Sequence, residues 1–212
     1  MRLITTLQPM DDLLVGNDDL ARCGWAGSTA DYETYHDIEW GRPTVDDCDL
    51  FEKMCLEGFQ AGLSWITVLR KREAFREVFF GFDPQQIATM EEDDIIRLLQ
   101  DERIIRHRGK IEATINNAQT FLSLADQGLT LSGIIWSHEP AEHEPRSFAQ
   151  VPATVDESVA LSKRLKKLGF KFVGPTTAYA AMQAMGVVND HLVGCHVRDE
   201  CAELRAATVR PA

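Results

Sequence analysis

Cysteine and histidine residues at both ends of the chain have the types and spacing of metal ligands. The stretch CGWAGSTADYETYH begins with Cys23 and ends with His36. Much further along, DHLVGC places His191 and Cys195 four residues apart, which sets two side chains on one face of a helix. Either pair alone is a weak signal, because single cysteines and histidines commonly belong to a core. Together the two pairs predict a zinc site of two cysteines and two histidines.

Four protein ligands predict a structural zinc. Such a site leaves no coordination position open for water, and it would join the two ends of the chain and contribute folding energy. The alternative is a zinc hydrolase, which needs three protein ligands and a bound water. His196 and Cys201 lie beside the C-terminal pair and could compete for the metal, so the identity of the fourth ligand stays open at this point.

A carboxylate in an apolar stretch is the second candidate for chemistry. In CLEGFQAGLSW, residues 55–65, Glu57 lies among apolar residues, and Gly58 and Gly62 remove side chains at a four-residue spacing. A glutamate on a helix ordinarily faces solvent. The glycines favour a cavity, because they let a flat ligand or another backbone approach closely. On one continuous helix, Trp65 would lie only about 80° round the axis from Glu57 and could line the same pocket.

Aromatic residues are dense around this carboxylate in the sequence. Trp25, Tyr32, Tyr35 and Trp40 precede it, and Trp65 follows it. Aromatic side chains usually pack in a core, which is the ordinary interpretation of such a cluster. Five of them around one carboxylate also describe a slot for a flat, electron-poor ring. The sequence therefore raises the hypothesis of a binding pocket for such a ring.

Residues 165–186, LKKLGFKFVGPTTAYAAMQAMG, are typical of a helix, a short turn and a second helix. The turn carries Gly169 and Gly174, and main-chain N–H groups before a helix N-terminus can bind a phosphate. Lys171 adds positive charge to the turn, and Thr176 lies at the start of the second helix. The pattern resembles the helix-hairpin-helix element that grips a DNA backbone, although a plain helical hairpin would look similar.

The remaining patterns predict helices that position these residues. Apolar residues follow a helical spacing over residues 49–72, Asp83 stands before a proline as a helix start, and residues 109–128 form an amphipathic pattern. TVDE at 154–157 fits a capping box for a helix that ends at Gly169. The segment WSHEPAEHEPRSFAQVPA is one long loop, and no strand-length alternation stands out. An all-α bundle is predicted.

Composition and charge bound the classes of protein. The chain has 212 residues, of which 44% are hydrophobic and 26% charged, so one globular domain with a full core is expected. Five cysteines are an odd count, which argues against a disulfide framework. No apolar run approaches the roughly 18 residues of a membrane span, and the N-terminus lacks a secretory pattern. We therefore expect a cytoplasmic protein without a membrane partner.

The net charge of −11 is unfavourable for nucleic-acid binding unless the charges are segregated. Basic residues gather in LRKR, RIIRHRGK and KRLKKLGFK, while acidic ones gather in DDLLVGNDD, EEDD and HEPAEHEP. Solvated helix faces ordinarily explain such runs. The charge distribution permits a polyanionic partner without predicting one.

Several motifs, in order along the chain, resemble those of one family. CGW, YHDIEWG, CLEGFQAGLSW, IIRHRGKI, LKKLGFKFVG and VNDHLVGC look like the motifs of the type I 3-methyladenine DNA glycosylases, between about Arg22 and Cys195. The resemblance implies an all-α helix-hairpin-helix DNA glycosylase fold and a structural zinc. It also implies excision of N3-methylated adenine from double-stranded DNA, without backbone cleavage and with free 3-methyladenine as the product.

The family's functional positions fall on residues that the patterns had already indicated. Its zinc ligands fall on Cys23, His36, His191 and Cys195. Its base-recognising glutamate, the expected catalytic residue, falls on Glu57, and its pocket aromatics fall on Trp25, Tyr32, Tyr35 and Trp65. The residues expected at the DNA backbone are Gly169, Lys171, Gly174 and Thr176.

The resemblance also sets an expected organisation. Residues 1–21 would be an N-terminal extension, 22–196 the zinc-stapled glycosylase domain and 197–212 a C-terminal tail. A monomer is expected, and no lysine stands out as a nucleophile, which fits an enzyme without a lyase step. Asn189 and Asp190 lie where many relatives of this fold place an aspartate. The remaining alternative is a DNA-binding module without catalysis, which would have no reason to bury Glu57 amid aromatic residues.

Overall fold

The computed structural model describes residues 12–211, whose regular secondary structure is helical apart from one small sheet. The helices are α1 (Ala30–Ile38), α2 (Asp47–Gln60), α3 (Trp65–Leu69), α4 (Arg72–Val78), α5 (Pro84–Ile87), α6 (Glu92–Gln100), α7 (Arg108–Leu124), α8 (Leu131–Trp136), α9 (Asp156–Leu168), α10 (Pro175–Ala184) and α11 (Arg198–Ala207). This confirms the predicted helical class. None of these helices combines the length and the apolar character that crossing a bilayer requires.

A two-stranded antiparallel sheet precedes the helices and was not predicted. Strand β1 (Leu13–Val15) pairs with β2 (Ala21–Cys23), and Leu13 lies opposite Cys23. Strands of three residues are too short to show an alternating pattern. Strand β1 lies within the predicted N-terminal extension, of which residues 1–11 are outside the described residues. Because β2 ends at Cys23, the sheet positions the first predicted metal ligand.

The predicted continuous helix over residues 49–72 is wrong. The chain leaves helical geometry after α2, and Gly62 adopts a φ of +82° before α3 begins. The Lys110 side chain on α7 donates hydrogen bonds to the carbonyl oxygens of Phe59 (2.8 Å) and Ala61 (2.7 Å). A side chain from another helix thus satisfies carbonyl groups that another helical turn would have used.

Local capping signals were more reliable than the long periodic pattern. Asp83 accepts a hydrogen bond from the Gln85 amide with a proline at the first helical position, as predicted. Gly169 ends α9 in the left-handed region, with a φ of +110°. The predicted capping box is displaced by one residue: α9 begins at Asp156, because the Ser158 hydroxyl accepts from the Val155 amide at 3.0 Å.

The described residues contain two apolar clusters. The larger one is formed mainly by α2, α4, α7, α9 and α10 and includes buried phenylalanines and Tyr179. The smaller one joins both ends of the chain and consists of Cys23, Leu192, Cys195, Val197 and Cys201. Helix α11, in the predicted C-terminal tail, contributes Cys201 to it. The proposed boundaries at residues 21 and 196 stay predictions.

Gly186 supports a close approach between the end of α10 and the chain before α2. Its φ is +67°, and a Cβ atom there would lie 2.4 Å from the Pro43 nitrogen. We expect Gly186→Ala to reduce the free energy of unfolding by well over the roughly 1–2 kcal/mol that a left-handed φ costs. Gly128→Ala is the control, since its φ is +64° and nothing lies within 4 Å of an added Cβ. Urea denaturation should separate the two variants, and equal losses would contradict the close approach.

Candidate functional site

A cavity of about 220 Å³ lies between α1, α2, the start of α3 and α10. All five residues predicted for the pocket line it. We call this cavity the aromatic slot. Its lining consists of Trp25, Tyr32, Tyr35, Trp40, Glu57, Gln60, Trp65, Ala180 and Gln183.

Different elements place the aromatic side chains. Trp25 lies in the 3-10 turn after β2, and α1 carries Tyr32 and Tyr35. The Tyr32 hydroxyl accepts a hydrogen bond from the Ile66 amide at 2.9 Å, which ties α1 to the first turn of α3. This contact places Trp65 beside Tyr35, with ring centroids 5.5 Å apart. Trp65 therefore reaches Glu57 through a turn and not along one continuous helix as predicted.

Glu57 is the acidic residue of the aromatic slot. Helix α2 buries it to 5% exposure, and no donor to its carboxylate is found in residues 12–211. Burial raises the pKa of Glu57 to about 8, against a smaller lowering by the Lys53 charge. The pKa of Tyr35 is also raised, first by burial and then by the charge of Glu57. The carboxyl group is thus available to a bound ligand with a positive charge or with N–H donors.

A second cavity, of about 280 Å³, adjoins the aromatic slot and shares Tyr35, Glu57 and Trp65 with it. Its wall is charged, but much of that charge is paired within the protein. Arg72 binds Glu39 at 2.5 Å, and Arg76 binds Glu52 at 2.7 Å. Trp25, Tyr32 and Trp40 line the aromatic slot and not the second cavity, so a flat ring would find more aromatic surface in the aromatic slot, and we place the candidate base site there.

The four predicted metal ligands lie together, and all are buried. Their donor atoms, one from each of Cys23, His36, His191 and Cys195, are within 4.8 Å of one another. The Cys195 sulfur is 3.4 Å from His36 Nε2 and 3.6 Å from His191 Nδ1. Tetrahedral bonds of about 2.0–2.3 Å to zinc separate ligand atoms by about 3.3–3.8 Å, so the donor set fits this metal.

Both histidine rings are oriented by acceptors on the side away from the cysteines. His36 Nδ1 lies 2.7 Å from an oxygen of Asp37, which Arg22 also binds. His191 Nε2 lies 3.0 Å from the Trp40 carbonyl oxygen. These contacts favour the tautomers whose other nitrogens, Nε2 of His36 and Nδ1 of His191, have lone pairs facing the sulfurs.

The two other donors near the cluster have different neighbours. His196 Nε2 lies 3.0 Å from Asp37, so this ring belongs to the hydrogen-bonded surroundings of His36. Cys201 packs in the same apolar cluster but is outside the group of four donor atoms. The geometry therefore favours Cys195 as the fourth ligand.

The predicted DNA-backbone residues lie on the turn between α9 and α10. Gly169 and Gly174 flank the turn, and Lys171 and Thr176 are exposed on it and on the first turn of α10. Asn117 on α7 holds the turn, since its side chain accepts from the Lys171 amide at 2.7 Å and donates to the Lys171 carbonyl at 3.0 Å.

Three residues that line the aromatic slot were not predicted. Trp40 lines it as one of the five aromatic residues of the hypothesised slot, although the family resemblance did not imply it. Gln60 could have been noticed one helical turn after Glu57, whereas Ala180 and Gln183 lie on the distant helix α10 and carry no local signal. Asn189 and Asp190 are not part of the lining. Asn189 donates to the Arg198 carbonyl, and Asp190 is buried against α10.

A helical domain with a buried carboxylate in an aromatic slot has a binding site suited to a flat base. Residues 25–199 match the family described as methyladenine glycosylase. The chain belongs to the methyladenine glycosylase family.

Known proteins resemble the chain over most of their lengths. DNA-3-methyladenine glycosylase 1 of Escherichia coli K12 is 51% identical over 179 residues, which cover 83% of this chain and 96% of that protein. A crystal structure of 3-methyladenine DNA glycosylase I matches with a TM-score of 0.80 and 50% identity, over 82% of this chain and 98% of the other. The crystal structure of a variant of 3-methyladenine DNA glycosylase I in complex with 3-methyladenine matches with a TM-score of 0.79 and 36% identity. The match covers 84% of this chain and 97% of the other.

The burial of Glu57 makes the free energy of unfolding depend on pH. The pKa of Glu57 rises from 4.5 to about 8 on folding. Between about pH 4.5 and about pH 8, the folded protein therefore holds a proton that the unfolded chain has lost. Stability should therefore fall as pH rises from about 4.5 to about 8, by about 1.4 kcal/mol per pKa unit. Glu57→Gln should lack this loss in urea denaturation at about pH 5 and about pH 8.5.

The control for this prediction is Glu203→Gln, at an exposed position on α11. It should keep the pH dependence of the original chain. If Glu57→Gln and Glu203→Gln have the same pH dependence, the Glu57 carboxyl group is not the source of the effect.

Proposed function

We propose that this chain excises N3-methylated adenine from double-stranded DNA by hydrolysing the N-glycosidic bond. The observation that carries the proposal is the buried Glu57 carboxyl group in the aromatic slot of a methyladenine glycosylase family member. Free 3-methyladenine would be the released base, and the DNA strand would keep an abasic site.

The chemistry of the lesion suits such a site. N3-methylation gives the ring in DNA a positive charge, which makes the base a good leaving group. Selective capture is then the harder task, because extruding a nucleotide from the stack costs roughly a few kcal/mol. Burial raises the pKa of Glu57 to about 8, and a positively charged ring beside it would favour the ionised form, so the carboxylate and the ring would attract each other. The aromatic faces would also favour a cation. Neutral adenine would gain little from either interaction.

We infer a monofunctional reaction. The bond between C1′ and N9 breaks, its electron pair neutralises the departing ring, and the oxygen of a water molecule bonds to C1′ and loses a proton. A lyase step would need an amine nucleophile for a Schiff base. Among the residues that line the aromatic slot there is no lysine, which supports attack by water.

We propose that the α9–α10 turn acts as a helix-hairpin-helix element at the DNA backbone. Gly174 lies at the N-cap of α10, where main-chain N–H groups are available to a phosphate. Lys171 is exposed on the turn, and Thr176 is exposed in the first turn of α10. A monomer is proposed on the grounds of size alone.

We propose that Cys23, His36, His191 and Cys195 bind a structural zinc ion. A bound ion would supply a rigid link between the two ends of the chain and no chemical step. Trp25, Tyr32 and Tyr35 lie between two of these ligands in sequence, so the link would also hold one wall of the aromatic slot.

The function is tested by incubating the protein with methylated duplex DNA and separating the released bases by chromatography. Release of 3-methyladenine, with 7-methylguanine counted in the same run, would establish the activity and its breadth. Strand integrity in the same sample reports any lyase step. DNA binding without release of either base would instead support a binding module without catalysis.

Glu57→Gln tests the role of the carboxylate. We expect release of 3-methyladenine to fall by about tenfold to a hundredfold, because one charged hydrogen-bonding partner of the base is lost. Affinity for undamaged DNA should change little, since Glu57 is buried in the aromatic slot. Glu203→Gln serves again as the control, and unchanged excision by Glu57→Gln would remove Glu57 from the mechanism.

Metal removal tests the zinc assignment. We expect about one zinc per chain by elemental analysis, and chelation should lower the melting temperature before it affects turnover in still-folded protein. Cys195→Ser should lose the metal, whereas Cys48→Ser, at an exposed free cysteine, should keep it. Loss of turnover on chelation without loss of structure would contradict a structural role.

A further inference from the structure

A buried carboxylate outside the aromatic slot holds one of the residues that line it. The side chain of Asp190 has no exposed surface. Its Oδ2 accepts hydrogen bonds from the Tyr179 hydroxyl at 2.8 Å and from Gln183 Nε2 at 2.6 Å. Both donors lie on α10, and the other carboxylate oxygen lies 3.0 Å from His143 Nε2. Helix α10 and the loop before α9 therefore meet at Asp190.

This contact decides which end of the Gln183 amide points to Asp190. A carboxylate oxygen that accepts hydrogen bonds requires the NH₂ end of the amide. Reversal would bring Oε1 against Oδ2 at a distance of 2.6 Å, with two acceptors and no proton between them. Because Gln183 also lines the aromatic slot, Oε1 is the polar atom that it retains for a ligand.

We propose that Gln183 is a specificity-determining residue that offers a hydrogen-bond acceptor to the 6-position of the purine, and that Asp190 is the residue that positions it. The inference rests on the proposed function, because it assumes that the damaged base occupies the aromatic slot. Gln183, on α10, would be a second hydrogen-bond acceptor for the base besides the Glu57 carboxyl group, which lies on α2.

The chemistry of purines gives this acceptor a selective value. An adenine-type ring carries an exocyclic amino group with two N–H donors at the 6-position, whereas a 6-oxo ring carries an acceptor there. An amide that could rotate would serve either ring. An amide held by Asp190 would leave a 6-oxo ring with an unpaired acceptor facing Oε1, which is a penalty against the wrong ligand.

The test compares two free bases, 3-methyladenine with a 6-amino group and 3-methylhypoxanthine with a 6-oxo group. The oxo base also carries a proton on a ring nitrogen, so the readout is the change in preference between the original chain and its variants. Tryptophan fluorescence reports binding, because Trp25 and Trp65 line the aromatic slot. Gln183→Met keeps the length of the side chain and removes its amide. We expect the preference for 3-methyladenine, as a ratio of dissociation constants, to fall by about tenfold. Gln119→Met, at an exposed position on α7, should keep the original ratio.

Asp190→Asn separates positioning from stability. The new amide can offer either a donor or an acceptor to Gln183, so the preference should again fall, and Asp190→Asn with Gln183→Met should lose no more preference than Gln183→Met alone. If Asp190 had only a structural role, Asp190→Asn would lower the melting temperature and weaken the binding of both bases equally. Zinc content is measured in the same samples, because Asp190 is adjacent to His191 in sequence.

The outcomes distinguish this inference from the proposed function. If the original chain releases 3-methyladenine from DNA and the folded Gln183→Met variant keeps the full base preference, only the role of Gln183 is overturned. If Asp190→Asn fails to fold, Gln183→Met still decides the inference. An original chain that neither binds nor releases 3-methyladenine would overturn the proposed function and this inference with it.

Discussion

The candidate site depends on the fixing of residues 23–36 at both ends. Cys23 and His36 meet His191 and Cys195 in a buried cluster, so one short segment is held against the far end of the chain. Strand pairing before Cys23 and the bond from Arg22 to Asp37 hold the same segment from outside the cluster. The aromatic residues of this segment that line the slot are Trp25, Tyr32 and Tyr35.

The candidate metal-ligand cluster and the sheet hold the site together, whereas the burial of Glu57 reduces the stability of the fold. A carboxyl group without a donor in an apolar wall favours its neutral form, as its raised pKa indicates. The surrounding core, with Phe59 packed 4.5 Å from Phe75 between ring centroids, offsets that cost through apolar burial. A site that keeps an unsatisfied acceptor for its ligand is less stable than a site without one, which is the usual conflict between function and stability.

Helix α7 connects the aromatic slot to the turn proposed for DNA binding. At its start, Lys110 holds the carbonyl end of α2 and so forms the turn that places Trp65. Two turns of helix further on, the Asn117 side chain forms hydrogen bonds with the backbone of Lys171 in the α9–α10 turn. One rigid element therefore sets the distance between the aromatic slot and the turn that we propose for DNA binding.

The sequence by itself determined the helical class, the family resemblance, the four candidate metal ligands and the set of aromatic residues around Glu57. These follow from residue types and short spacings, which a chain carries whatever its tertiary contacts. Only the tertiary structure decided that the helix predicted over residues 49–72 breaks after α2, since Lys110 comes from another element. It also decided that Gln183 joins the aromatic slot and is held by Asp190. Contacts between distant segments leave no periodic or local signal, because they depend on how the helices pack.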